Sequence, residues 1–166
     1  MAIVTGASQG IGAGIAHGLL GLGHRVVATS RSISPSDAAD VHTVEGDISQ
    51  AETAQRIVHE TLDRFGRIDT LINNAGIFIG KPFLEYTNDD FAAMTAVNLD
   101  GFFAVAPGVV NTRTTASADY EEVAAQHPLG RMAEISDIVQ GVIYLEQATF
   151  VTGETLHIDG GQAAGH

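Results

Sequence analysis

Thr5-Gly6-Ala7-Ser8-Gln9-Gly10-Ile11-Gly12 follows the apolar run Ala2-Ile3-Val4 and leads into a helical pattern in which Ile11, Ile15, Leu19 and Leu22 recur, with Gly23 as the stop. A glycine-rich turn between a strand and a helix is the setting that a dinucleotide-binding turn requires. Gly6 permits the tight turn, Gly10 lets a pyrophosphate approach the backbone, and Gly12 lets helix and strand pack closely. The amides at the helix head, with Ser8, Gln9 and Ile11 beside them, then face the anionic group. A glycine-rich turn without a ligand is the competing reading. Arg25-Val26-Val27-Ala28-Thr29 reads as a second buried strand and completes a βαβ unit.

Val41 to Glu45 reads as a third strand, interrupted by His42 and Thr43. Ser49-Gln50-Ala51-Glu52 has capping-box spacing, and Ala54, Ile57, Val58, Leu62 and Phe65 trace a helix face that ends at Gly66. Thr70 to Asn73 is a fourth strand. A second box, Thr87 to Asp90, precedes an amphipathic helix marked by Phe91, Met94, Val97 and Phe102. Helices from about Ser117 to Gln126 and from about Ile135 to Gln147, and a last strand from Thr155 to Ile158, complete the pattern.

At 166 residues the chain accommodates one domain with a sizeable core. Its 45% hydrophobic and 17% charged residues place it among folded globular proteins. Twenty acidic against 8 basic residues give a net charge of −12, a surface that repels nucleic acid and anionic lipid. With no cysteine there are no disulfides and no thiolate chemistry. Seven histidines include no close His-x-x-x-His pair, so no metal site is expected. No basic-then-apolar leader and no run of about 20 apolar residues is present, which leaves a cytoplasmic location and no membrane as the expectation.

The Gly-x-x-x-Gly-x-Gly spacing after Thr5 resembles that of the short-chain dehydrogenase/reductase family. Asn73-Asn74-Ala75-Gly76 closes the fourth strand as the family's Asn-Asn-Ala-Gly does, and Asp47-Ile48 stands where the family places its adenine-contacting acid. Val97-Asn98-Leu99-Asp100-Gly101 is similar to the helix that carries the family's structural and catalytic asparagine. Pro107-Gly108-Val109-Val110-Asn111-Thr112 resembles its nicotinamide-side turn, and the stretch from Phe150 to Gly161 resembles its C-terminal strand. Each match has a second reading when taken singly: Asn74 as a bridge between strands, Asp47 as a turn cap, Thr112 as a helix cap. Their order along nearly the whole chain favours the family.

The resemblance implies an α/β fold, a Rossmann-type doubly wound parallel sheet with strands ordered 3-2-1-4 and an incomplete C-terminal half. It implies cofactor contacts from Asp47, Ile48, Asn74, Ala75, Gly76, Pro107, Gly108 and Thr112, and a catalytic role for Asn98. The substrate is a small hydroxyl or carbonyl compound, and a homo-oligomer is expected. About 20 residues past the glycines the ribose-binding carboxylate is missing and Arg31 stands instead. A guanidinium pairs with a 2′-phosphate, so NADP(H) is favoured over NAD(H); an exposed arginine at a strand end is the other account.

The family's serine and Tyr-x-x-x-Lys pair have no counterpart. A tyrosine with an unperturbed pKa of about 10 needs such a cation to work near neutrality. Four positions beyond Tyr86, Tyr120 and Tyr144 stand Asp90, Ala124 and Ala148, and the one lysine, Lys81, reads as a loop residue beside Pro82. Only eight residues lie between Asn98 and Pro107, where the family holds a strand and the Tyr/Lys helix. Residues 1–166 are therefore read as a single dinucleotide-binding domain with a deletion, or a gap in the sequence, at 103/104. As it stands the chain is expected to be inactive, and a non-catalytic binding or scaffolding module is the alternative function.

Overall fold

The computed structural model describes residues 1–98, 105–107, 110–112, 119–149 and 156–162. The strand that opens the chain, β1 (Ala2–Thr5), is buried at all four positions, as a strand of a parallel sheet covered on both faces must be. Its side chains alternate. Ala2 and Val4 enter one core cluster together with Ile15 and Leu19 of helix α1 (Gly10–Gly21), whereas Ile3 enters a second cluster on the other face. Strand β2 (Val26–Ser30) divides in the same way, Val26 and Ala28 to the first cluster and Val27 to the second.

Strand β3 (Val41–Glu45) pairs with β2, and β4 (Thr70–Ile72) pairs with β1, giving a parallel sheet in the expected order β3-β2-β1-β4. Ile3 stands opposite Val27 on one side and Leu71 on the other. Between β3 and β4 runs α2 (Ala51–Phe65), closed by Gly66 at φ 75°, a left-handed position suited to glycine.

Two details of α2 differ from expectation. Its cap residue is Gln50 and no side chain caps it, because the Ser49 hydroxyl is bonded instead to Asp47 Oδ1 at 2.8 Å. The line turned to the sheet is Thr53, Ile57 and Thr61, while Val58 and Leu62 are each 45% exposed. Thr61 is tolerated inside because its hydroxyl donates to the carbonyl of Ile57 at 2.6 Å.

After β4 come a one-turn 3₁₀ helix at Phe83–Glu85 and helix α3 (Asn88–Asn98). The expected box at its start forms: Asp90 Oδ2 accepts from the amide and hydroxyl of Thr87 at 2.8 and 2.6 Å. The expected apolar face does not find a core, for α3 buries no residue and Phe91 is 68% exposed. Phe102 and the 103/104 junction lie outside the described residues.

Strand β5 (Val105–Pro107) was not anticipated; it pairs in parallel with β6 (Leu156–Ile158) as a separate two-stranded sheet. Between them lie α4 (Tyr120–Ala124), capped by Asp119, and α5 (Ile135–Gln147). A box between Glu134 and Asp137 starts α5, and Arg131 grips Asp137 at 2.7 Å. Glycines on α1 let α5 come close: a Cβ at Gly14 would lie 2.5 Å from Ile135 and one at Gly18 2.8 Å from Val139. Among the described residues no helix is long and apolar enough to cross a membrane.

Candidate functional site

At the C-terminal ends of β1, β2 and β3, where an open parallel sheet places its ligands, lies a cleft of about 370 Å³. This is within the size range of small-molecule sites. Its near wall is the turn from β1 into α1. Gly6 has φ 66°, and a Cβ there would come within 2.8 Å of Ala75 Cα. Gly10 has φ 59° with open space where a Cβ would be, so the backbone itself forms the wall.

The side chain of Gln9, the N-cap residue, makes no capping hydrogen bond to α1, and the first turn carries no acid. Amides there, backed by the positive end of the helix, present an anion-binding surface. A diphosphate fits that cradle by charge and by room. Ser8, Gln9 and Ile11 also line the cleft. Gly12 does not. It is the packing glycine, since a Cβ would meet Gly6 O and the Asn74 side-chain nitrogen, each at 2.4 Å.

Asn74 and Thr5 lock the turn to the end of β4. The Asn74 amide side chain donates to the carbonyls of Thr5 (2.9 Å) and Gly6 (3.2 Å). The Thr5 hydroxyl in return accepts from the backbone N–H of Asn74 at 3.0 Å and of Ala75 at 2.9 Å, and donates to Ile72 O at 3.4 Å. Asn74, Ala75 and Gly76 line the cleft, but the Asn74 side-chain donor is spent on the turn and acts as a brace. Thr5 was not anticipated as a site residue. The only hint was its position directly before the first glycine.

The opposite wall carries Arg31, flanked by Ser30 and Ser32, and then Asp47 and Ile48. Asp47 is held below the usual carboxylate range, first by the backbone N–H of Ser49 and its hydroxyl and to a smaller extent by the charge of Arg31. It is therefore an anion that tightens its own turn. Thr29 lines the cleft too. Its buried hydroxyl has no hydrogen-bond partner among the described residues.

Of the expected nicotinamide-side turn, Thr112 reaches the cleft and Pro107 ends β5; Gly108 lies outside the described residues. Asn98 also stands behind the lining. Its Oδ1 accepts from Ile77 N at 2.9 Å and its Nδ2 donates to Ile77 O at 2.8 Å. That pair of hydrogen bonds to one residue fixes the loop after β4, a positioning geometry rather than contact with a reacting group. Lys81 is paired with Asp90 and sits over the Tyr86 ring, away from the cleft. None of the three tyrosines lines it.

The family model described as short chain dehydrogenase matches residues 1–117, and one described as Enoyl-(Acyl carrier protein) reductase matches residues 102–163. The chain belongs to the short-chain dehydrogenase family, a family of oxidoreductases. A 3-oxoacyl-(acyl-carrier-protein) reductase of Synechocystis is 25% identical over 236 positions, covering 97% of this chain and 96% of the relative. An uncharacterized oxidoreductase of Staphylococcus saprophyticus is 35% identical over 125 positions; that match covers 67% of this chain and about half (53%) of the relative's length. Among solved structures, ElxO with NADP bound superposes with a TM-score of 0.87 at 22% identity, covering 99% of this chain and 98% of that one. A short-chain dehydrogenase/reductase from Brucella melitensis gives a TM-score of 0.86 at 24% identity, covering 97% of this chain and 95% of that one. These likenesses show the Rossmann-type fold.

Proposed function

We propose that the chain is the NADP(H)-binding part of an oxidoreductase that moves hydride between a nicotinamide cofactor and a hydroxyl or carbonyl substrate. One observation carries the reading: the head of α1, with Gly10 open beside it, shares a cleft with Arg31, and no carboxylate stands at the end of β2. The α1 amides hold the diphosphate. Arg31, with the Ser30 and Ser32 hydroxyls at either side, takes the 2′-phosphate, and Asp47 with Ile48 borders the adenine. Thr112 closes the far end. Asn98 acts through Ile77, keeping the loop after Gly76 in place.

When bound, the dinucleotide supplies or accepts hydride at its nicotinamide ring. Reduction of a carbonyl also calls for a proton at the developing oxyanion. The described cleft offers serine and threonine hydroxyls, the anionic Asp47 and the permanently charged Arg31, and no tyrosine. The chain by itself therefore binds cofactor without turning over substrate, and residues 1–166 act as one dinucleotide-binding domain. Support for a nicotinamide cofactor comes also from the relatives, among them a structure solved with NADP.

Titration with NADPH and NADH tests this. NADPH is expected to bind more tightly and to raise the melting temperature. Equal affinities would remove the NADP preference, and no binding of either would remove the dinucleotide reading.

A further inference from the structure

The sheet is interrupted in its C-terminal half. β4 bonds β1 along one edge, and among the described residues its other edge pairs with nothing. Among the described residues β5 and β6 pair with each other and with no other strand. Helix α5 shows how the two sheets lie. Its Val139 and Val142 pack in the same cluster as Ile72 of β4, and Glu146 accepts from the Thr70 hydroxyl at 2.9 Å. Its Ile138 packs with Ile158 of β6, and a Cβ on Gly141 would lie 1.8 Å from the Ile158 side chain. One helix thus roofs both sheets and the interval between them.

On the side of the sheet away from that roof, an apolar residue of β4 is exposed. Leu71, which points away from the side of Ile72, is 56% exposed in a strand that pairs directly with the central β1. Consecutive parallel strands joined through a helix are commonly neighbours; here the strand that follows α3 skips that place and joins β6 instead. An unpaired strand edge that carries an unburied leucine is a template for another strand.

The relatives carry residues that this chain lacks. The alignment with the Synechocystis reductase runs over 236 positions although this chain has 166 residues and 97% of them are used. That relative therefore carries an internal stretch without a counterpart here. A second copy of this chain is a poor occupant, because a two-fold axis would set the two β4 edges antiparallel and leave the β5–β6 pair as isolated as before.

We propose that the interval between β4 and the β5–β6 sheet is a docking slot for one parallel strand, supplied by a separate polypeptide segment equivalent to the relatives' internal stretch. The incoming strand is short, about five or six residues, and apolar on both faces, since α5 covers one and the segment's own helix covers the other. This proposal is independent of the cofactor assignment.

The test adds the internal segment of the Synechocystis relative, made separately, to the full 166-residue chain. Light scattering reads the mass, and hydrogen exchange reads the β4 amides. The expected result is a one-to-one complex in which exchange at β4 slows by about tenfold or more; a chain unfolded alone that folds when the segment arrives supports the proposal equally. Leu71→Lys, at an exposed position, should weaken the complex while leaving the free chain's circular dichroism unchanged. The proposal is overturned by an absence of complex, by a complex that leaves β4 exchange unchanged or is indifferent to Leu71→Lys, by β4 amides already protected in the free monomer, or by a self-dimer protected at β4 that the segment does not dissociate.

Discussion

Asn74 and Gly12 meet across the phosphate turn: a Cβ on Gly12 would stand 2.4 Å from the Asn74 side-chain nitrogen, which itself donates to Thr5 O at 2.9 Å. The turn is thus clamped between the end of β4 and the first turn of α1, with the glycine making room for the clamp. Removing either side of this contact has separable effects.

Asn74→Ala removes the donor to the carbonyls of Thr5 and Gly6. Loss of partners for part-buried polar groups costs about 1–3 kcal/mol. The variant is expected to lose that much in a denaturant melt and to bind NADPH more weakly, because the head of α1 is no longer held. Unchanged stability would show that the clamp carries no energy.

Gly12→Ala is expected to cost about 1–3 kcal/mol through overpacking, since backbone stands on one side of the new methyl. Gly10→Ala has free space but a positive φ, so its stability cost is about 1–2 kcal/mol, and its main effect falls on ligand approach. Paired melts and NADPH titrations separate the two: the Gly12 variant loses fold stability and affinity together, the Gly10 variant chiefly affinity.

Thr29→Val replaces a buried hydroxyl without a described partner by a methyl of the same shape. Relief of the unsatisfied group should raise stability by about 1 kcal/mol. A loss of stability would show that the hydroxyl is bonded in solution.

Arg31→Asp places a carboxylate where the ribose-recognising acid stands in NAD-binding folds. NADPH affinity should fall by about tenfold or more, equivalent to about 1.4 kcal/mol, with NADH affinity held or raised. A parallel loss for both cofactors would indicate damage to the cleft.

Asp90 is held down to about 2, first by Lys81, then by the hydroxyl and amide of Thr87. Its folded value lies below the ordinary 3.8, so the contribution to stability is complete above that pH and is lost as pH falls through about 2. Carboxyl NMR should find that low midpoint, and Lys81→Met should move it back toward 3.8. A midpoint unmoved by the substitution would show that Thr87 alone sets it.

The N-terminal half was legible because its rules are local. A buried β1, the glycine spacing and the apolar period of α1 follow from residues within a few positions of one another, and the strand order followed from the family resemblance. Ser49 misled because Asp47, two residues back, takes its hydroxyl before the helix can. The inward line of α2 was misplaced because it contains Thr53 and Thr61, whose polarity hides them from any count of apolar periodicity. Thr5 could not be ranked because its partners lie about 70 positions away, at Asn74 and Ala75. β5, three residues ending in proline, reads as a strand only once β6 stands beside it.

Gly14 and Gly18 have a consequence for how the molecule can be divided. By letting Ile135 and Val139 settle into the back of α1, they make α5 the wedge against which that helix is seated. A version stopped short of residue 135 would lose the wedge, and the opening βαβ unit would be a hinge without a stop rather than a nucleotide binder in miniature.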